Sequence, residues 1–324
     1  MRYGKSVLVV LSILFAPAVL AWDSPGHETV AAIAWKTMKP TTQKKVSAIL
    51  EGAQEHDCLK ELGAGGDPRA YFIRAATWPD VVRPNDKKDK QGHVIQKDSR
   101  TCTQFHVRDD HFRDQFWSGV SDGKGPNAPK NRSDIAGNPR NAVERLATYR
   151  PLVTCKPKCM IGSVERAHDL AWMLHLVGDV HQPLHNAGRV SQKNPNGDAG
   201  GNLFPLQADA ETPPNLHSFW DDIVDHTIKQ KNGEAEIAYI DRLASRLMAD
   251  HPRKDVTAAQ LASGQFGRWS DEGFALAKQL AYPQPLLVKN SPSATYRQAA
   301  FTTADMQIAL AGYRLADLLD RMLE

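Results

Sequence analysis

The sequence predicts a mostly α-helical protein, built as one domain of several helices with long loops. Apolar residues recur at three- and four-residue spacing through most of the chain, which is the period of an amphipathic helix. Alternation of apolar and polar residues, the signal of a half-buried strand, is short and rare, with one candidate at 103–108. Since no fixed-period repeat and no long linker interrupts the 324 residues, we expect a single large domain.

The first 21 residues have the layout of a secretory signal peptide. A basic start with Arg2 and Lys5 precedes an apolar run of 15 residues, and the small residue Ala21 ends the segment. The run is short for a membrane span, although an uncleaved membrane anchor is the alternative interpretation. We therefore expect cleavage after Ala21, a mature domain of residues 22–324, and a secreted or periplasmic location.

The helical period recurs along the mature chain, with the second segment starting just after Pro40. In chain order, the segments are 27–38, 41–52, 69–78, 141–153, 163–182, 216–228, 235–248, 270–282 and 304–323. Polar stretches rich in Gly, Pro and Asn separate them, above all at 80–100, 118–140 and 186–214. Long loops on a helical scaffold commonly carry function, and these have room for a small hairpin.

The net charge and the number of cysteines indicate how the chain can bind phosphate and how its thiols are used. Loss of Arg2 and Lys5 with the signal peptide lowers the formal net charge from +3 to +1, so any affinity for phosphate must be local. The even number of cysteines in an exported chain favours disulfides over zinc thiolates. Cys155 and Cys159 could close a small loop, which would leave Cys58 and Cys102 to pair. Sequence allows three pairings, and a zinc half-site at CxxxC is the alternative.

Two pairs of ionisable residues have metal-ligand spacing. His175 and Asp179 are four residues apart, which puts both on one helical face, and His217 and Asp221 repeat that spacing. Neutral imidazole together with carboxylate is a ligand set typical of zinc. One such pair alone is more often a surface hydrogen bond, but two pairs in one exported helical chain favour a metal site.

A proline next to the first pair predicts a bend. Pro183 cannot donate to the carbonyl of Asp179 and crowds it, so the helix should end there and bring His185 back towards the same place. An unpaired carboxylate on the apolar helix "HLVGDV" would be costly to bury, and a bound metal would remove that cost.

Three further stretches offer ligands. "WPD" places Asp80 at the end of an apolar helix, and "FHVRD" places His106 in an apolar setting. Cleavage after Ala21 would free the α-amine of Trp22, with a pKa around 8, beside its own carbonyl. His27 follows five residues later, although a small Gly-His turn is the alternative interpretation.

The stretches "WDSPGH", "WPD", "FHVRD", "HLVGDVHQPLH", "GGN" and "HSFWD" occur in an order that resembles a known family. That family comprises the zinc-dependent single-strand nucleases and 3′-nucleotidases of the nuclease S-one/P-one type, related in fold to zinc-dependent phospholipase C. The resemblance runs from Trp22 to the C-terminal helix. It implies a multi-helix phospholipase C/nuclease-like fold with three zinc ions per chain.

The resemblance assigns each zinc to histidines, aspartates and the N-terminus. The first zinc would be bound by Asp80, His106, His175 and Asp179. The second, which shares Asp179 with the first, would be bound by His27 and by the amine and carbonyl of Trp22. The third would be bound by His185, His217 and Asp221. By this mapping His168 and His181 are not ligands, and His181 has a packing or orienting role.

The same resemblance implies the chemistry. RNA, single-stranded DNA and 3′-mononucleotides are the expected substrates, hydrolysed by a zinc-bridged hydroxide, with 5′-phosphate products from the polymers. Asp80 and Arg83 are the expected catalytic residues. The alternative interpretation of Arg83 is a solvated loop arginine without a catalytic role. Arg83, Asp109 and Asn202 are the expected substrate contacts.

One position departs from the family. Fungal members carry an aromatic residue where this chain has Val107, and base–aromatic stacking contributes about 1–3 kcal/mol per base. Either base binding is weaker and less selective in this chain, or another aromatic residue from "HFRDQFW" provides the stacking. The base preference is therefore open. A phospholipase C-type lipid hydrolase and a non-catalytic exported zinc protein are the competing functions. We expect no stable membrane association and no obligate protein partner.

Overall fold

The computed structural model describes residues 22–54, 58–89, 93–118, 140–154, 162–209, 212–224, 228–282 and 289–324. The predicted signal peptide and the suggested Cys155–Cys159 pair lie outside these ranges. Within the described ranges, no helix combines the length and the apolar character that crossing a membrane requires.

The described residues form a mostly α-helical single domain, as the sequence predicts. Its helices, numbered in chain order, are α1 Ser24–Thr37, α2 Pro40–Leu50, α3 Cys58–Glu61, α4 Pro68–Ala75, α5 Trp78–Val81, α6 Ala142–Thr154, α7 Ser163–Asp179, α8 Leu216–Asp221, α9 Glu236–Asp250, α10 Phe266–Leu276 and α11 Ala294–Met322. A π-helical turn, Ala277–Ala281, continues α10.

Strands are short and lie in the loops between helices. β1 (Lys87–Lys88) and β2 (Val94–Gln96) form an antiparallel hairpin within the predicted loop at 80–100. β3 (Phe116–Trp117) and β4 (Gly188–Arg189) pair in parallel, with Phe116 opposite Gly188. This second pair holds the chain just after the 3₁₀ turn Pro183–Asn186 against the 112–118 segment.

The strand predicted at 103–108 is wrong. That stretch is two 3₁₀ turns, Thr101–Phe105 and Arg108–His111, closed by short-range backbone bonds such as His106 N to Thr103 O at 3.2 Å. Phe105, His106 and Val107 are all half-buried, so the alternation of apolar and polar residues does not correspond to alternating burial. A period of two over so few residues does not distinguish that turn from a strand.

α7 lies at the centre of the core. From Leu170 to Asp179 each of its residues is buried, because α1, α2, α5, α6 and α11 all pack against it. Burying each large apolar side chain contributes about 1.5–3 kcal/mol, so the apolar run fixes the position of this helix. Its polar residues His175 and Asp179 are thereby held in the interior of the protein.

α1 delivers the start of the domain to the same region. The side chain of Asp23 caps the helix by accepting from Gly26 N at 3.0 Å, and Pro25 occupies its first turn. α11 packs along α1 so closely that a Cβ on Gly312 would lie 2.5 Å from Ile33 Cγ2. The first turn of α1, which contains His27, is therefore fixed against the core.

A disulfide joins Cys58 in α3 to Cys102 in the first 3₁₀ turn, which is one of the pairings that the sequence allowed. The bridge closes a loop with a sequence separation of 44 residues. That loop contains α4, α5 and the β1–β2 hairpin. The covalent link therefore restrains the segment that carries Asp80 and Arg83.

We expect replacement of both Cys58 and Cys102 by serine to lower the free energy of unfolding by about 4 kcal/mol, the chain-entropy value for a loop of this length. Urea unfolding of the parent and the double variant checks this. Reductant should lower the free energy of unfolding of the parent towards that of the variant, and it should leave the value for the variant nearly unchanged. Equal midpoints for the oxidised parent and the variant would contradict the expectation.

Candidate metal centre

The last turn of α7 places two ionisable side chains in the core. His175 and Asp179 are fully buried, and their four-residue spacing brings His175 Nε2 to 3.3 Å from Asp179 Oδ2. The helix ends at Asp179, and Pro183 begins a 3₁₀ turn of four residues. This bend brings His185 back, so that its Nδ1 lies 3.7 Å from Asp179 Oδ1.

Two other helices each add one side chain at this point. The ring of His27 from α1 stacks on His175 with centroids 3.8 Å apart, and its Nε2 lies 3.4 Å from Asp179 Oδ1. Gly178 makes room for this ring, because a Cβ there would lie 2.7 Å from His27 Nδ1. Asp80 from α5 places Oδ2 3.8 Å from His175 Nε2. His27, Asp80 and His175 form a group that could hold a metal ion.

A residue that the sequence reasoning missed completes a second group. His111 Nδ1 lies 3.0 Å from His175 Nε2 and 3.2 Å from Asp179 Oδ2. His111, His175 and Asp179 therefore also have the arrangement of metal ligands. The predicted ligand His106 is the neighbour of this group, with its ring centroid 5.8 Å from that of His111. Within the described ranges, the candidate groups include His111 and leave His106 outside.

His106 was predicted as a ligand because it lies in "FHVRD", a stretch that resembles a family motif. His111 follows five residues later, in "RDDHF", within a segment without helical period. Its burial beside the buried Asp110 depends on the second 3₁₀ turn. A count of every histidine near an aspartate, regardless of motif, would have kept His111 as a candidate.

A third group forms where the 3₁₀ turn after α7 meets α8. The rings of His185 and His217 stack with centroids 5.0 Å apart, and His217 Nε2 lies 3.4 Å from Asp221 Oδ2. These three residues are the third candidate metal-binding group. Asn215 caps α8 by accepting from Ser218 N at 2.9 Å, which sets the orientation of this short helix.

Backbone carbonyls orient the histidines. The Nδ1 atoms of His175, His185 and His217 lie 2.7, 2.9 and 2.7 Å from the carbonyl oxygens of Ala76, His111 and Gly200. A carbonyl only accepts, so each Nδ1 carries the proton and each Nε2 is the atom with a lone pair for a metal. Gly200, whose carbonyl contacts His217, has a φ of +61°. A Cβ there would lie 2.5 Å from Leu184 O, so the turn requires glycine.

Buried polar atoms in the first two groups fit a divalent cation. Both ring nitrogens of His27 and Oδ1 of Asp179 are buried without a hydrogen-bond partner among the described residues. Leaving a buried polar atom unsatisfied costs about 1–3 kcal/mol, and more for a charged group. Imidazole nitrogens with carboxylate oxygens are the donor set of zinc and related divalent ions. The residues present therefore suit the metal that the sequence predicts.

The pKa values of these groups are shifted in the directions expected for buried ligands. Burial lowers the pKa of His175 to about 3, and it lowers the pKa values of His27 and His111 well below the usual range. Burial raises the pKa of Asp80 to about 7 and that of Asp179 well above its usual range. The imidazoles are thus neutral at pH 7, while the carboxylates need a nearby positive charge to ionise fully.

Trp22 lies between the helices that carry these groups. It is fully buried, and its indole Nε1 donates to Gly178 O at 3.0 Å. The next residue, Asp23, donates its backbone N–H to Asp221 O at 3.2 Å. Residues 22–23 are therefore held to α7 through the Trp22 indole on Gly178 and to α8 through the backbone of Asp23 on Asp221.

A cavity of about 310 Å³ opens beside the second and third groups. Its lining brings together the predicted substrate residues Arg83, Asp109 and Asn202 with His111, His185 and His217. Arg83 is half-buried, and its Nη1 has no hydrogen-bond partner among the described residues. Two cationic side chains, Arg83 and Arg108, thus face a cavity that could receive an anionic group.

Comparison with known proteins gives relatives that align along most of this chain. It is 23% identical to Nuclease P1 of Penicillium citrinum over 319 residues, which covers 93% of this chain and 97% of that protein. It is 23% identical to Endonuclease 2 of Arabidopsis thaliana over 329 residues, covering 98% of this chain and 95% of that protein. The match to Nuclease S1 of Aspergillus oryzae is 27% identical over 212 residues, or 65% of this chain and 56% of that protein.

The family model described as S1/P1 Nuclease matches residues 22–324. That match begins at the buried tryptophan before α1 and extends past the end of α11, so it includes all three candidate groups and the cavity beside them. The chain belongs to the S1/P1 nuclease family.

Proposed function

We propose that this chain is an exported, zinc-dependent nuclease with three zinc ions. Its substrates are RNA, single-stranded DNA and 3′-mononucleotides, and its polymer products carry 5′-phosphates. The observation that carries the proposal is the convergence of three His/Asp groups beside a cavity with two arginines. Membership of a nuclease family supports the reaction class, and the donor set supports zinc.

The proposed ligands follow the sequence prediction, with His111 added as a candidate. His27, Asp80, His175 and Asp179 belong to the close pair of groups, in which His106 or His111 is the further imidazole. The free amine of Trp22, after cleavage behind Ala21, is the proposed N-terminal ligand. Zinc bound at these groups supplies Lewis acidity, which lowers the pKa of water and neutralises charge on phosphate oxygens.

The chain itself binds and orients the phosphodiester. Arg83 and Arg108 face the cavity and can donate to the phosphate oxygens, and the buried setting of Arg83 strengthens that contact. Asp109 can accept from the edge of a base, and Asn202 can donate near the scissile bond. Asn202 is held by its own turn, since its Nδ2 donates to Ala199 O at 2.7 Å.

We expect the mature protein to contain about three zinc ions per chain and to hydrolyse single-stranded RNA and a 3′-mononucleotide, but not phosphatidylcholine. Treatment with a chelator should abolish both activities, and added zinc should restore them, because the carboxylates and imidazoles depend on a cation for their chemistry. Elemental analysis of the purified protein and product assays on the three substrates check this.

Different experimental results would refute different parts of the proposal. A single zinc per chain would refute the three-metal centre but not the nuclease reaction. Turnover of phosphatidylcholine would favour the phospholipase C-type function. Bound zinc without turnover of any of the three substrates would favour a non-catalytic zinc protein.

A further inference from the structure

Gln182 is a fully buried polar residue in the turn between α7 and Pro183. Its side-chain amide makes two hydrogen bonds. Nε2 donates to Asp221 Oδ1 at 2.6 Å, and Oε1 accepts from Leu184 N at 2.5 Å. The partners fix the orientation of the amide, because a backbone N–H needs the oxygen and a carboxylate needs the NH₂ group.

This contact divides the two oxygens of Asp221. Oδ1 is occupied by Gln182, whereas Oδ2 faces His217 Nε2 at 3.4 Å in the third candidate group. Without the amide, the carboxylate could rotate about its terminal torsion, which is a broad one for aspartate. Gln182 therefore determines which oxygen points at the ligand group.

The backbone of Gln182 ties this contact to the rest of the centre. Its N–H donates to Asp179 O at 3.0 Å, and its carbonyl accepts from His185 N at 3.1 Å. One residue thus contacts the last residue of α7, the 3₁₀ turn that carries His185, and the carboxylate of α8. A shift of Gln182 would move ligands of the third group relative to those of the first two.

We propose that Gln182 is a positioning residue for the third metal, and that it acts by holding Asp221 with one oxygen directed at the His185–His217 pair. The inference rests on the proposed metal centre. Groups that orient a ligand typically change metal affinity 10- to 100-fold when they are altered. The effect should be confined to one of the three ions, because the amide touches a carboxylate of that group alone among the ligand side chains in the described part of the chain.

The decisive variant is Gln182→Glu. It preserves the size of the side chain and an oxygen for Leu184 N, but it places a carboxylate oxygen against Asp221 Oδ1 in place of a donor. If Gln182 merely caps the 3₁₀ turn, the variant should bind zinc like the parent. If it positions Asp221, one zinc should bind 10- to 100-fold more weakly while the other two are unchanged.

Zinc binding by the full mature chain should be measured by competition with a chromogenic zinc chelator, so that each ion is resolved without recourse to activity. Gln307→Glu is the matched control, because Gln307 is also buried but lines a separate cavity next to Leu310. Gln182→Leu, which removes both hydrogen bonds, serves as a second variant if Gln182→Glu does not fold. Thermal unfolding of the metal-free proteins reports any general loss of stability.

The outcomes separate the two proposals. A parent that binds fewer than three zinc ions would refute the proposed metal centre itself. A parent with three ions, together with a well-folded Gln182→Glu that has the same three affinities, would overturn the role of Gln182 alone. Equally weaker binding of all three ions in Gln182→Glu, or the same loss of affinity in Gln307→Glu, would also overturn it.

Discussion

Replacement of Asp179 by asparagine is expected to lower turnover of single-stranded RNA by at least about a thousandfold. Asp179 lies where two of the candidate groups meet, with Oδ1 near His27 and Oδ2 near His111 and His175. An amide there is neutral and has one donor in place of an acceptor. Lewis-acid catalysis contributes several kcal/mol, and each 1.36 kcal/mol corresponds to a factor of ten in rate.

The same substitution should not destabilise the metal-free protein. Burial raises the pKa of Asp179 well above its usual range, so an ionised carboxylate there opposes folding, and asparagine removes that cost. We therefore expect metal content and activity to fall together while the unfolding midpoint of the metal-free form is unchanged or higher. Elemental analysis, rate assays and thermal unfolding measure the three quantities.

Asp169→Asn is the matched control, since it makes the same change ten residues earlier on the same helix. Asp169 is partly buried, and burial raises its pKa to about 6, but it lies near Arg145 and belongs to none of the candidate groups among the described residues. It should retain activity and metal. Full metal content with activity within tenfold of the parent in Asp179→Asn would show that Asp179 is not a shared ligand.

A short Gly/Ser extension before Trp22 is expected to remove one metal ion and to reduce activity by about a thousandfold. The extension converts the proposed α-amine into an amide, whose nitrogen has no available lone pair for a cation. The backbone of residues 22–23 is fixed beside Gly178 and Asp221, so the new peptide bond cannot easily move aside. The size of the effect again follows from the loss of one Lewis acid.

The same extension placed after Glu324 is the control for this experiment. That residue has a side chain 63% exposed at the far end of α11, so an added segment there should leave metal content and activity unchanged. An N-terminally extended protein with three metals and full activity would refute the amine as a ligand. The hypothesis that the histidine and aspartate groups bind metal ions would still stand.

The helices and the turn after α7 were predictable because they rest on local rules. The apolar period of 163–182 predicts α7, and Pro183 predicts its end, since a proline cannot donate to the helix. The pair Cys58–Cys102 was suggested by the sequence as the one left over if Cys155 pairs with Cys159, and the structure contains it. Choosing it among the three possible pairings requires the distance between Cys58 in α3 and Cys102 in the first 3₁₀ turn. Sequence alone contains no information on that distance.

The candidate ligand groups were predictable in part, for a similar reason. His175 with Asp179, and His217 with Asp221, follow from spacing on one helical face. His111 does not, because its side chain reaches Asp179 across 68 residues of chain, from a segment without regular period. Gln182 likewise acts across 39 residues, so its contact with Asp221 could be found only in the folded chain.

The docking of α1 on α11 has a consequence for the order in which the candidate centre forms during folding. His27 lies near the start of α1, the third group ends at Asp221, and the helix that packs along α1 is Ala294–Met322, far along the chain from both. An unfinished chain lacks the surface against which α1 is held, and contacts between distant segments form late in folding. The complete candidate centre is therefore assembled only after this helix has been synthesised and has packed on α1.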